Sequence, residues 1–154
     1  MRHTNFALAL IAAAVLVGCG DSDNNSSLQV SKPKFASQVV FGDSLADVGT
    51  YKVGPIAQAG GGKFTVNGTV AGKPELDGRI WSEVVAVQLG LPAPCAAQTG
   101  LNGQGVYAVP VADHPNCFSY AQGGARVSNP VGPGNRLTGD PVGALTVPVT
   151  SQIA

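Results

Sequence analysis

Val39-Val40-Phe41-Gly42-Asp43-Ser44-Leu45-Ala46-Asp47-Val48-Gly49-Thr50-Tyr51 is the stretch on which the reading of this chain turns. Two β-branched residues and Phe41 predict the end of a buried strand, and Gly42-Asp43-Ser44 then breaks the apolar run with small polar residues suited to a sharp turn. A serine just past a strand's carboxyl end lies where open α/β sheets put ligands. If its backbone N–H also opens a helix, the residue can attack a carbonyl and help hold the resulting oxyanion. Gly-Asp-Ser alone carries little, because a strand-to-helix turn favours the same residues with no chemistry implied.

A second stretch answers the first. In Phe118-Ser119-Tyr120-Ala121-Gln122-Gly123-Gly124-Ala125-Arg126-Val127 the alternation of aromatic and small residues predicts a short strand, and the glycine pair predicts a turn whose N–H can face an oxyanion. Together the two stretches resemble the first two sequence blocks of the GDSL family, also called SGNH hydrolases. The first matches in order: apolar strand, Phe-Gly-Asp-Ser-Leu, then Asp47 and Gly49 three and five residues after the serine. The second resembles the family's Asn-x-Ala-x-x-Gly pattern, with Ser119 where asparagine is usual. This alignment puts the oxyanion donor at Gly124, with Gly123 the alternative by one residue.

The resemblance implies an α/β fold, a three-layer α/β/α sandwich with a parallel sheet. It also implies a serine ester hydrolase that cleaves carboxylic esters through an acyl-serine intermediate. Ser44 would be the nucleophile and an oxyanion N–H, Gly124 the second N–H, and an ester or lipid the substrate. No metal or organic cofactor is implied. The resemblance covers residues 35–154 but only two blocks: no Gly-x-Asn-Asp follows Gly124, and no Asp-x-x-His occurs. Val111 stands where that aspartate would precede His114, so His114 reads as a loop residue rather than the base. The α/β-hydrolase elbow Gly-x-Ser-x-Gly fails at Ala46. The chain thus reads as the N-terminal portion of a GDSL esterase or lipase, with little activity alone. The alternative is a non-catalytic, lipid-anchored surface or binding protein that keeps half of the fold.

At the N-terminus, Met1-Arg2-His3 is a short basic start, and Phe6 to Val17 is an apolar run too short to span a bilayer comfortably. Leu16-Val17-Gly18-Cys19 resembles the bacterial lipobox, against an ordinary signal with a stray cysteine. Residues 1–18 are therefore predicted to be a lipoprotein signal peptide and Cys19 the lipidated residue, with the membrane as partner through that lipid. Gly20 after the cysteine points to the outer membrane of a Gram-negative cell envelope. Residues 19–34, rich in Asp, Asn and Ser, are predicted to be a flexible tether before the domain at 35–154.

Composition is globular, with 44% hydrophobic and 12% charged residues and a formal net charge of zero. The basic residues are scattered singly, which argues against nucleic acid as a partner. With Cys19 assigned to lipid, Cys95 and Cys117 remain in an oxidising compartment and are predicted to pair. A metal site with His114 competes but lacks a fourth ligand. Gly60-Gly61-Gly62-Lys63 is no phosphate loop, because Ala57 and Phe64 occupy positions that need Gly and Ser or Thr. Asn67-Gly68-Thr69 predicts a hairpin turn. Residues 78–90 predict a helix capped by Asp77, with Ile80, Trp81, Val84, Val85 and Leu89 facing the core and Gly90 and Pro92 stopping the run. Thr150-Ser151-Gln152-Ile153-Ala154 predicts a helix's first turn with a hydroxyl cap.

Overall fold

The computed structural model describes residues 33–63 and 78–154; all but Pro33 fall in one compact unit, Lys34–Ala154. The signal peptide, Cys19, all but the last residues of the tether, Asp77 and the Asn67-Gly68-Thr69 turn lie outside the described residues. In chain order the elements are helix α1 (Gly54–Gln58), helix α2 (Trp81–Gln88), strand β1 (Gln98–Thr99), strand β2 (Ala112–Asp113) and helix α3 (Val149–Ile153). Single 3₁₀ turns occupy Gly105–Tyr107 and Arg136–Thr138. The two strands pair antiparallel, Gln98 opposite Asp113 and Thr99 opposite Ala112. No helix among the described residues is long and apolar enough to cross a membrane.

The expected three-layer sandwich with a parallel sheet is not what forms. Among the described residues, parallel pairing is confined to the single-residue bridges Val40–Ser119 and Ala96–Ser119. The physical reason lies in what flanks them. Gly42, at φ +143°, and the turn at Asp43–Ala46 end the first extended run directly after Phe41. A turn closed by Ala125 N–H on the Gln122 carbonyl ends the second. Pro92 and Pro94, which have no N–H to donate, precede Ala96. The helices could not cover a sheet either, since even the eight residues of α2 span only about 12 Å.

Helix α2 sits within the predicted span but turns a different face inward. Trp81, expected in the core, is 53% exposed, while Ile80, Ser82 and Ala86 are buried. Small residues let the helix approach the core closely, and Ile80 packs with Val48 and Ala96. At the amino end the Glu83 carboxylate accepts the Ile80 N–H (2.9 Å) and pairs with the Lys63 ammonium (2.7 Å). Carboxylates are favoured in a helix's first turn for this reason.

Cys95 and Cys117 form a disulfide across 22 residues, with their Cα atoms 5.0 Å apart. Their sulfurs are therefore not thiolate ligands. Closing a ring of this size restricts the unfolded chain, so reducing it, or replacing both cysteines by serine, is expected to lower stability by about 3 kcal/mol. Urea unfolding with and without reductant measures this, and an unchanged midpoint would refute it.

Candidate functional site

The two glycine-containing stretches meet through their backbones. Val40 donates its N–H to the Phe118 carbonyl (2.9 Å) and accepts from Tyr120 N–H (2.7 Å); Gln122 N–H donates to the Gly42 carbonyl (3.1 Å). The bridge runs parallel, so Ser44, four residues beyond Val40, and Gly124, five beyond Ser119, both follow the same end of the paired segments.

Ser44 does not open a helix, contrary to expectation. It lies in a turn that Ala46 N–H closes on the Asp43 carbonyl (3.1 Å), with Leu45 N–H donating to Asp43 Oδ1 (3.0 Å). An Asp side chain that captures the N–H two residues on makes this turn in place of a helical one. The serine is half-buried at the turn, without a helix dipole behind it.

Below the turn, Asp47 is fully buried and ties the two stretches together. Its Oδ1 accepts from Gly49 N–H (2.9 Å) and Thr50 N–H (2.8 Å), and Oδ2 accepts from Gly123 N–H (2.8 Å). Burial pushes its carboxyl above the ordinary value of 3.8, while the three N–H donors partly counter that rise. Thr50 donates its hydroxyl to the Ala121 carbonyl (3.1 Å). Tyr51, also buried, donates its phenol to the Gly123 carbonyl (3.0 Å) and accepts from Thr146 N–H (3.2 Å). Burial raises the phenol's pKa, so it stays protonated and able to donate.

Gly123 is thus held at both ends of its backbone, its N–H by Asp47 and its C=O by Tyr51. Its N–H is therefore already engaged inside the protein. Gly124 follows at φ +81°, a conformation that favours glycine, and a Cβ there would come 3.2 Å from Thr146 Cγ2. Among the described residues its N–H donates to no other group. Thr146 itself sits at φ 51°, rare for a β-branched residue, and is fixed by its bonds to Tyr51, Gly132 and Asn135.

Helix α3 supports the start of the Ser44 turn through Gln152. The predicted hydroxyl cap is absent: Pro148 holds the N-cap position and no side chain caps the helix. Instead the Gln152 amide reads both polar groups of Gly42, accepting its N–H at 2.8 Å and donating to its C=O at 2.9 Å. Gln122 accepts Val147 N–H (2.8 Å) and donates to Gln98 (3.1 Å).

His114 shares a cleft with Val48 and Gly49 of the first stretch. Its Nε2 lies 2.8 Å from Thr99 Oγ1, and it lines a cleft of about 410 Å³ with Lys52 and the disulfide. Among the described residues no three His, Cys, Asp or Glu side chains group to hold a metal. Ser119 is buried, and its hydroxyl has no partner among the described residues. Ser119→Ala is accordingly expected to be neutral or to stabilise by about 1 kcal/mol, because it removes an uncompensated polar group. A loss of more than that on thermal unfolding would show that Ser119 has a partner.

Sequence reasoning paired the cysteines as found and named Ser44 and Gly124 as candidates, but gave no role to Asp47, Tyr51, Gln122 or Gln152. For Asp47 a signal existed, since an aspartate two and three residues before Gly49 and Thr50 has the spacing of an Asx turn. Nothing local marks Gln152, whose partner is 110 residues away. Comparison of the chain with models of known protein families finds no match, and no curated protein is significantly similar to it.

Proposed function

We propose that this protein is a serine ester hydrolase, related to the GDSL esterases, in which Ser44 attacks a carboxylic ester to give an acyl-serine. The single observation that carries the proposal is the clamp on Gly123. Asp47 and Tyr51 hold that peptide at both ends, next to an N–H at Gly124 that donates to no described group and follows the same end of the paired segments as Ser44. A rigid N–H that keeps its donor available is what an oxyanion needs, because it stabilises the developing charge without reorganising. In the reaction, Ser44 Oγ bonds to the carbonyl carbon as its proton leaves to a base. The oxyanion is held by Gly124 N–H and by the serine's own N–H, and collapse expels the alcohol. Water then repeats the sequence and releases the acid. His114 is not the base in this proposal, since Val111 stands where an orienting aspartate would precede it and its Nε2 faces Thr99 Oγ1.

Hydrolysis of p-nitrophenyl acetate tests the assignment of Ser44. Any acyl-enzyme formed must be absent in Ser44→Ala; acylation by the ester that survives the substitution rejects Ser44 as nucleophile. If neither protein turns over ester even when a histidine base is supplied from outside as imidazole, the non-catalytic binding reading is favoured.

The same proposal places the protein in the cell envelope on a lipid at Cys19. Expressed in a Gram-negative host, it is expected to incorporate radiolabelled palmitate and partition into detergent, and Cys19→Ser to lose both. Labelling retained by Cys19→Ser would overturn the anchor.

A further inference from the structure

The Cys95–Cys117 disulfide borders two clefts, and its two halves are not equivalent. Cys95 is exposed and lines both clefts. Cys117 is half-buried and lines only the larger of the two, where Lys52, Thr99 and His114 also stand. The smaller cleft, of about 160 Å³, has apolar walls from Ala36, Leu91, Pro94 and Phe118. In the larger cleft the Lys52 ammonium forms no ion pair among the described residues. Its stem packs over Gly49, where a Cβ would meet Lys52 Cδ at 3.9 Å.

A thiolate attacks a disulfide along the sulfur–sulfur axis, so it must reach one sulfur from the side away from the other, and the second sulfur leaves as thiolate. The two clefts fit these two demands in one direction only. An open approach that Cys95 lines and Cys117 does not is the smaller cleft, and the sulfur that would leave, Cys117, has a free ammonium and an imidazole in the cleft around it. A nearby cation lowers the pKa of a thiol, and a leaving thiol of lower pKa departs faster. We propose that Cys95 is a site of reversible thiol modification, at which a small thiol of the glutathione class enters through the smaller cleft and forms a mixed disulfide. The entering sulfur bonds to Cys95 Sγ as the Cys95–Cys117 bond breaks, and the electron pair of that bond leaves on Cys117 Sγ. One disulfide is exchanged for another, so the step consumes no further oxidant or reductant.

Backbone bonds hold the two cysteines' neighbourhoods together after the sulfurs part. Ser119 N–H donates to the Cys95 carbonyl (3.2 Å), Ala97 N–H to the Ser119 carbonyl (2.8 Å) and His114 N–H to the Ala97 carbonyl (2.7 Å), beside the β1–β2 pair. Cys117 therefore stays within the fold, placed to attack the mixed disulfide and restore the original bond. Exposed disulfides are the ones that serve as labile or regulatory bonds, whereas structural ones resist the glutathione pool.

The full chain carrying Cys19→Ser, which leaves no third thiol, tests the proposal. It is incubated oxidised with millimolar reduced glutathione under native conditions, quenched in acid and mapped by mass spectrometry. Glutathione is expected on the Cys95 peptide at least roughly tenfold more often than on the Cys117 peptide, at a rate that rises linearly with glutathione. Lys52→Met, which keeps the stem over Gly49 and removes the charge, should slow the reaction by about three- to tenfold while the circular dichroism spectrum is unchanged. A disulfide that resists glutathione over hours would overturn the proposal. So would adducts shared equally between the two cysteines, a rate independent of glutathione, which marks attack only on unfolded chains, or a Lys52→Met chain that reacts as fast as its parent.

Discussion

Asp47→Ala is expected to cost about 3–5 kcal/mol, which is a large share of the stability of any domain of this size. The substitution leaves the N–H groups of Gly49, Thr50 and Gly123 buried with no acceptor, and each orphaned donor is worth about 1–3 kcal/mol. Urea denaturation followed by circular dichroism measures the loss, and a change below about 1 kcal/mol would show that water or a backbone shift satisfies those groups. The pH dependence supplies a second reading. Because burial raises the Asp47 pKa above 3.8, the folded state keeps a proton that the unfolded state has already released. Between the unfolded value and the raised folded value, stability from this group falls as pH rises, and above the folded value it is flat. Asp47→Asn removes that slope. The difference in unfolding free energy between wild type and Asp47→Asn should therefore be greatest in acid and shrink as pH rises through the window.

Ester turnover by these 154 residues is expected to be far below that of a complete serine hydrolase. Loss of the triad leaves a residual enhancement of about 10³–10⁴ over water when the oxyanion hole is intact, and here only two backbone N–H donors are proposed for the hole. The rate with p-nitrophenyl acetate should fall at or under that residual level and be unaffected by His114→Ala, and only the part of it that passes through an acyl-serine should be lost in Ser44→Ala. Removing Tyr51's hydroxyl in Tyr51→Phe should lower it further by freeing the Gly123 carbonyl. That would mark Tyr51 as a positioning residue, provided the variant remains folded by circular dichroism. Ordinary enzyme rates that collapse in His114→Ala would assign the base to His114 and overturn this account.

Parts of this arrangement are legible in the sequence because they are local. The turn after Phe41, the turn at Gly123-Gly124 and the stop of α2 near Gly90 follow from residue types within a few positions of each other. The inward face of α2 was misread for a physical reason. Spacing of large apolar residues identifies a helix, but this one buries Ser82 and Ala86, and small residues carry no hydrophobic signal of their own. The sheet was misread because extended runs such as Val39–Phe41 look alike whether they pair over one residue or five. The length of a ladder is decided by a partner remote in sequence. The bonds that fix the candidate site are equally remote: Asp47 to Gly123 spans 76 residues and Gly42 to Gln152 spans 110.

Those spans carry a consequence for biosynthesis. A chain emerging vectorially from a ribosome or a secretion channel reaches Gly42 and Ser44 early, yet the amide that holds both polar groups of Gly42 arrives only with Gln152. Until then the Asp43–Ala46 turn has only its local bonds and Gln122 N–H on the Gly42 carbonyl, and contacts so distant must meet the entropy of closing a large loop before they return any stability. The segment around Ser44 should accordingly be among the last to acquire protection from exchange as the protein folds. Until it does, it stays open to holdase chaperones.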